Sequence, residues 1–226
     1  MEHVLDSPAW NALNTNNSNL AYGNSNVKYF TKEVSPFFGL SENSEENFRV
    51  LYDILPHTGP ALLVTNTQTQ IPARWKAIRF MSGLQMVHTG NIVTDINPHE
   101  LMPLTMHHVP QMLALTQLTN PGPFDERTID FGHYHGIFDG DKLVAMAGQR
   151  LHPEGYAEIS AVCTHPDHLG RGYAKQLMLH QIHRINAEGE TPFLHVRGDN
   201  ERAINVYKSL GFETRTPIYF YVLVKA

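Results

Sequence analysis

Residues 161–175 read AVCTHPDHLGRGYAK. An apolar run ends at Thr164, a turn rich in His, Pro and Gly follows, and a helical repeat begins at once. From Gly172 to Ile185, the apolar residues Ala174, Leu177, Met178, Ile182 and Ile185 recur at steps of three and four. Lys175, Gln176, His180, His183 and Arg184 take the other faces, which is the pattern of an amphipathic helix. The first N–H groups of such a helix have no internal partner and, with the helix dipole, form an anion site. Gly170 and Gly172 remove Cβ atoms and let a phosphate approach the main chain, while Arg171 adds charge. By spacing alone, a phosphate site and a plain strand-to-helix turn packed through glycine both remain open.

Working upstream, FGHYHGIFDGDKLVAMAGQRL (131–151) holds two strand-like runs around Asp139-Gly140, a hairpin signal. Pro153-Glu154-Gly155 turns the chain into YAEISAVCT, completing an antiparallel meander of three strands. A helix is expected over 107–118, ended by TNPGPF. Downstream, the helix ends near Glu188-Gly189 and PFLHV (192–196) is a short strand. Asn200–Leu210 is a second helix, with Asp199 or Asn200 as cap and Gly211 as stop, and FET and IYFYVLV supply closing strands. The text changes character near Asp95–Pro98, so residues 1–95 are expected as an N-terminal mixed α/β unit and 96–226 as the catalytic domain. In the first part, 11–26 read as an Asn- and Ser-rich surface loop. Residues 41–54 read as a helix capped by Ser41 or Ser44, and ALLVT (61–65) as a buried strand. Residues 75–88 read as one or two strands broken near Gly83. No chemistry is legible before residue 95.

The composition sets limits. The 226 residues are 42 % hydrophobic and 17 % charged, with a net charge of −5 and no Lys/Arg run, which argues against a nucleic-acid grip by counterion release. No run of 18 apolar residues exists, so no membrane helix is expected. The first residues lack a signal pattern and a single cysteine precludes an intrachain disulfide, so the expected location is the cytoplasm. The 14 histidines include His133-x-His135 and His180-x-x-His183, each pair sharing one face if on a strand or helix respectively. None joins a Cys pair or an H-E-x-x-H pattern, so they read as solvated side chains and no metal is expected.

Leu169-Gly170-Arg171-Gly172-Tyr173-Ala174 resembles the pyrophosphate loop of the GNAT N-acyltransferase superfamily, Arg/Gln-x-x-Gly-x-Gly/Ala. Ala161–Pro166 is similar to the strand before that loop. Leu194-x-Val196, Asn200, Ala203, Tyr207 and Leu210-Gly211-Phe212 resemble the N-x-x-A-x-x-x-Y-x-x-x-G-F ending of many members. The resemblance is firm over 130–215 and extends from about 97. One position departs from it: Leu169 stands where the family has Arg or Gln, with Arg171 nearby to compensate. The resemblance implies a mixed, mostly antiparallel splayed sheet flanked by helices, with the N-terminal unit as a degenerate half-copy of the same fold. It implies acetyl-CoA as co-substrate and a primary amine, of a small molecule or amino acid, as acceptor. A protein-directed transferase and a non-catalytic acyl-CoA sensor are the alternatives, and the chain is expected to be a monomer or homodimer.

The same resemblance implies residue roles. Main-chain groups of Val162, Cys163 and Thr164 would pair with the pantetheine arm. Residues Gly170, Arg171, Gly172, Tyr173, Ala174 and Lys175 would hold the pyrophosphate. Asn200 would contact cofactor or water, and Tyr207 would protonate the leaving thiolate. An amine near pH 7 must lose a proton before attack. Glu158 is the first candidate base: on a regular strand it shares a face with Ser160, Val162 and Thr164, and apolar neighbours raise a carboxyl pKa. A comparable acid in glycine N-acyltransferase-like members points to that branch, while a cross-strand salt bridge is the competing reading of Glu158. His195 is the second candidate base and a water chain the third. Cys163 reads poorly as a nucleophile, because apolar neighbours raise a thiol pKa.

Overall fold

A computed structural model describes residues 3–90 and 101–226. The domain boundary expected at 95–98 lies outside the described residues. In chain order the elements are α1 (Pro8–Asn14), β1 (Ala21–Gly23), β2 (Val27–Phe30), β3 (Phe38–Leu40), α2 (Glu45–Ile54), β4 (Ala61–Thr65), β5 (Trp75–His88) and β6 (Met102–Pro103). They continue with α3 (Val109–Thr119), β7 (His135–Asp139), β8 (Lys142–Gln149), β9 (Tyr156–Thr164), α4 (Tyr173–Ala187), β10 (Thr191–Arg197), α5 (Glu201–Ser209) and β11 (Phe212–Lys225).

Several elements follow from local chemistry. Ser44 caps α2, its hydroxyl accepting from the Asn47 N–H at 3.3 Å, and Glu45 and Glu46 face the positive end of the dipole. The 139–140 turn closes the β7–β8 hairpin, with Gly140 at φ +57°. The loop expected over 11–26 is partly structured instead. Pro8 opens α1, whose Ala9, Ala12 and Leu13 are buried, and Ala21–Gly23 is a strand. The apolar stripe begins at Leu5, upstream of the Asn-rich text, and outweighs its turn preference.

The expected break at Gly83 does not occur. β5 runs unbroken through it because the glycine serves a close approach: a Cβ there would lie 2.3 Å from the carbonyl oxygen of Val196. The two closing strands expected after α5 are one strand, β11, irregular between Thr214 and Thr216.

Three strands form a small sheet, β1-β2-β3, and eight form the main sheet in the order β4-β11-β5-β10-β9-β8-β7-β6. All its pairings are antiparallel except β9–β10. β5, from the N-terminal part, lies between β11 and β10, so both ends of the chain complete one sheet. On one face, α1 and α3 bury Leu13, Met112 and Leu115 with Met146, Cys163, Phe193 and Phe220. On the other, Met178, Ile182 and Ile185 of α4 and Ile204 of α5 pack on Met86, Ile159, Leu194 and Phe212. Each such side chain contributes about 1.5–3 kcal/mol on burial. α2 closes the far end against β4 and β11 through Phe48 and Leu51.

Two departures from regular pairing shape the centre. β9 and β10 pair only at Thr191–Tyr156, Pro192–Ala157 and Phe193–Glu158, then part. β9 also carries a bulge. Its register with β8 shifts between Cys163–Met146 and Ser160–Gly148, and Ala161 takes φ +54°.

Candidate active site

Beyond the Phe193–Glu158 pair the parting strands leave an open cleft. Ile159 to Val162 form one wall, Leu194 and His195 the other, and Tyr207 of α5, Arg150 and Pro121 complete the lining. The bulge decides which residues of β9 look which way. A regular strand would put Val162 with Glu158. The extra residue reverses the alternation, so Val162 packs toward α4 with Ala157 and Ile159, while Cys163 packs on the opposite face. The face expected to hold Glu158, Ser160, Val162 and Thr164 together is therefore corrected. Cys163 is buried against Phe193 and Met146, and burial pushes its thiol up to about 11.

β9 leads into the 165–172 turn. Gly170 and Gly172 both take φ +79°, with open space where a Cβ would stand. Their backbone conformation, rather than protein crowding, is what requires glycine. Gly172 is the N-cap of α4 and supplies no side-chain cap. Among the described residues, the amides of 170–175 meet no main-chain or side-chain acceptor. Six unpaired donors thus precede or open a 15-residue helix, chemistry that suits a pyrophosphate. Leu169 and Arg171 are exposed beside them, and Tyr173 stacks on His168.

Asn200 sits at the other helix start. Its Oδ1 accepts from the Ala203 N–H at 3.2 Å and caps α5. The structure thus gives this side chain a structural partner, where the resemblance implied cofactor or water. The same helix carries Tyr207, half-buried against Phe212 and lining the cleft; burial raises its hydroxyl to about 12.

The two candidate bases are joined to each other. Glu158, fully buried, accepts from Arg150 Nε (3.0 Å) and Nη2 (2.5 Å), from the Leu151 N–H (3.2 Å) and from His195 Nδ1 (2.8 Å). Burial pushes its carboxyl up, but the Arg150 charge and the hydrogen bonds from His195 and Arg150 outweigh this and hold it at about 2. The elevated carboxyl expected from its apolar neighbours is thus overturned. The cause is Arg150, whose partnership the sequence did not reveal. This is the salt-bridge reading of Glu158.

His195 is pinned on both nitrogens. Gln85 Oε1 accepts from Arg215 Nη1 at 2.7 Å, and Gln85 Nε2 donates to the Leu5 carbonyl at 2.9 Å. The amide nitrogen therefore faces His195 Nε2, 3.0 Å away, and donates to it. Nε2 is then the acceptor, and the proton sits on Nδ1, pointing at Glu158. Arg215 is held in turn by Asp6. Residues 3–90 thus take part in the site through Gln85, Asp6 and Phe37, whose ring lies 4.7 Å from the Arg150 guanidinium. The only sequence signals were one Gln inside an apolar strand and one Arg at a strand end.

His180 and His183 both lie on α4, three residues apart, while the other histidine pair separates. His133, at φ +59°, precedes β7, so the shared strand face with His135 does not form. His135 lies against His180 at 4.1 Å between ring centroids. Burial lowers His180 to about 4. Among the described residues no three His, Cys, Asp or Glu side chains converge on one point, and no helix is long and apolar enough to cross a membrane.

Residues 134–221 match the FR47-like protein family. A GNAT-family protein of Novosphingobium aromaticivorans DSM 12444 superimposes along its whole length and the whole of this chain, with a TM-score of 0.92 and 32 % identity. The chain belongs to the GNAT family. A mycothiol acetyltransferase of Streptomyces scabiei is 31 % identical over 109 residues, 47 % of this chain and 35 % of that one. The N-alpha-acetyltransferase RimI of Mycobacterium tuberculosis is 34 % identical over 85 residues, 36 % of this chain and 52 % of that protein. The chain thus spans about a third to a half of the length of these two curated relatives. None of these matches points to the glycine N-acyltransferase-like branch. The strand that parts from β10, β9, leads directly through the 165–172 turn to the uncapped start of α4.

Proposed function

We propose that the protein transfers an acetyl or other short acyl group from acyl-CoA to a primary amine by direct attack. The observation that carries this reading is that β9, where it parts from β10, leads through the 165–172 turn into the unpaired amides of 170–175. Acetyl transfer is common to the names of both curated relatives. The amides of Gly170 to Lys175 hold the pyrophosphate, with Arg171 beside them in place of the contact that Leu169 lacks. The open edge of β9 at Val162–Thr164 takes the pantetheine amides as an added strand would.

In the cleft, the amine nitrogen attacks the thioester carbonyl, the C–S bond breaks and the thiolate takes a proton from the Tyr207 hydroxyl. That hydroxyl stays protonated up to about pH 12, so it is a donor throughout the working range. The amine's proton has another destination. Glu158 is enclosed by Arg150 and His195, and the free pair of His195 faces Gln85. Water in the open cleft accepts it, and Glu158 and His195 act as the frame of the site. The acceptor is a small molecule or amino acid.

The test is CoA release from acetyl-, propionyl- and benzoyl-CoA across an amine library that includes peptides. Release with small amines supports the reading, and release with peptides alone moves it to a protein-directed transferase. Tight CoA binding without release for any amine identifies a sensor.

A further inference from the structure

Arg150, Glu158, His195, Gln85, Arg215 and Asp6 form one hydrogen-bonded chain running from the cleft to the N-terminal segment. Burying such a chain is costly, because each ion loses its hydration and each polar atom must find a partner. Its orientation is unambiguous: Asp6 holds Arg215, Arg215 sets the Gln85 amide, Gln85 sets the His195 tautomer, and His195 and Arg150 share the Glu158 carboxylate. At the cleft end, Glu158 engages only Nε and Nη2 of Arg150. Nη1 has no hydrogen-bond partner among the described residues, and a Cβ on Gly122 would stand 3.9 Å from it. Phe37 covers one face of the guanidinium. Arg150 is only 9 % exposed, yet it lines the cleft.

We infer that Arg150 is a carboxylate receptor at the cleft floor, so one of the two reacting molecules carries a carboxylate near the reacting carbon. This rests on the acyl-transfer reading above and names its substrate class. The guanidinium is held by a bidentate pair and an aromatic face, so it loses no rotamer freedom when its free edge takes a carboxylate end-on. Glu158 neutralises its charge, so recognition comes from aimed donors rather than long-range attraction. A neutral carboxamide presents NH₂ toward those donors on one side and binds more weakly. The carboxylate has two sources, an amino-acid acceptor or a dicarboxylic acyl group.

Two equilibrium measurements on the wild-type protein, neither needing turnover, separate them. The first compares N-acetyl amino acids of increasing amine-to-carboxylate spacing, N-acetylglycine upward, with their carboxamides in the presence of CoA. The second compares succinyl-CoA with butyryl-CoA. A charged hydrogen-bond pair of this kind corresponds to a preference of roughly 10- to 100-fold. We expect that preference for the carboxylate in one arm, and its loss in Arg150→Lys, which keeps the charge for Glu158 but not the fork. Arg150→Met combined with Glu158→Gln removes both charges together and should also abolish it. A near-equal affinity for carboxylate and amide in both arms overturns the inference, as does a preference that persists in both variants. Absence of CoA release with every amine removes the acyl-transfer reading instead, while the binding arms still decide the receptor.

Discussion

Glu158 and Tyr207 line or underlie the same cleft but have opposite chemistry. The Glu158 carboxyl is depressed from 4.5 to about 2, so its stabilising contribution is complete above pH 4.5 and is lost as pH falls through 2. Glu158→Gln leaves Arg150 without a counter-charge and should cost about 3–5 kcal/mol in urea unfolding at pH 7. It should also flatten the fall in stability below pH 5; an unchanged acid limb would show that the pair contributes nothing. Tyr207→Phe keeps the ring on Phe212 and removes only the proton donor. kcat should drop by about 10²–10⁴-fold, while CoA affinity, measured by calorimetry, stays near wild type. In wild type, kcat/KM should keep rising with pH as free amine grows, with no alkaline fall from Tyr207 below about pH 12. A bell-shaped profile near neutrality would instead bring back a side-chain base.

At the scale of elements, the two helix starts make different demands. Gly172 holds φ +79° at the head of α4, so a β-branched residue there must either strain or unwind the first turn. Gly172→Val should leave a folded protein, as judged by circular dichroism, with acetyl-CoA binding lost; retained affinity would remove the anion site from 170–175. Asn200 caps α5 through its side-chain oxygen. Asn200→Ala should cost about 1 kcal/mol and Asn200→Asp almost nothing. If Asn200→Asp unfolds like wild type but binds CoA more weakly, the amide has a second duty at the cofactor. The bulge at Ala161 belongs to this scale too. Strand alternation on paper put Val162 beside Glu158, and one residue at φ +54° moved it to the α4 side.

At the scale of the molecule, β5 is bonded to β11 along most of its length and to β10 from Gly83 to Val87. It is a central strand supplied by the N-terminal part. A chain beginning at residue 101 would expose the inner edges of both neighbours. It should be unfolded or aggregated by circular dichroism and light scattering, whereas independent folding would show that residues 3–90 are dispensable to the sheet. Gly83→Ala tests the same joint in the intact chain. Its Cβ would meet main chain rather than a yielding side chain, so a loss of about 1–3 kcal/mol is expected.

The local text determined every element whose cause is local. The strand–glycine-turn–helix of 156–187, the hairpin at Asp139-Gly140, the Ser44 cap and the α5 helix are written in neighbouring residues, because periodicity, caps and positive-φ glycines act over a few positions. The candidate anion site was legible in that local text as one of two readings, and the fold class through the resemblance of its motifs to the GNAT pattern. Tertiary structure alone decided the partners. Glu158 meets Arg150 eight residues away, but its other contacts reach His195, and through it Gln85, Arg215 and Asp6, from across the chain. A carboxylate's proton affinity depends on which charges surround it, and those charges converge only once β5, β9 and β10 lie side by side. Glu158 therefore read as a base in the sequence and stands in the fold as the counter-ion of a buried arginine.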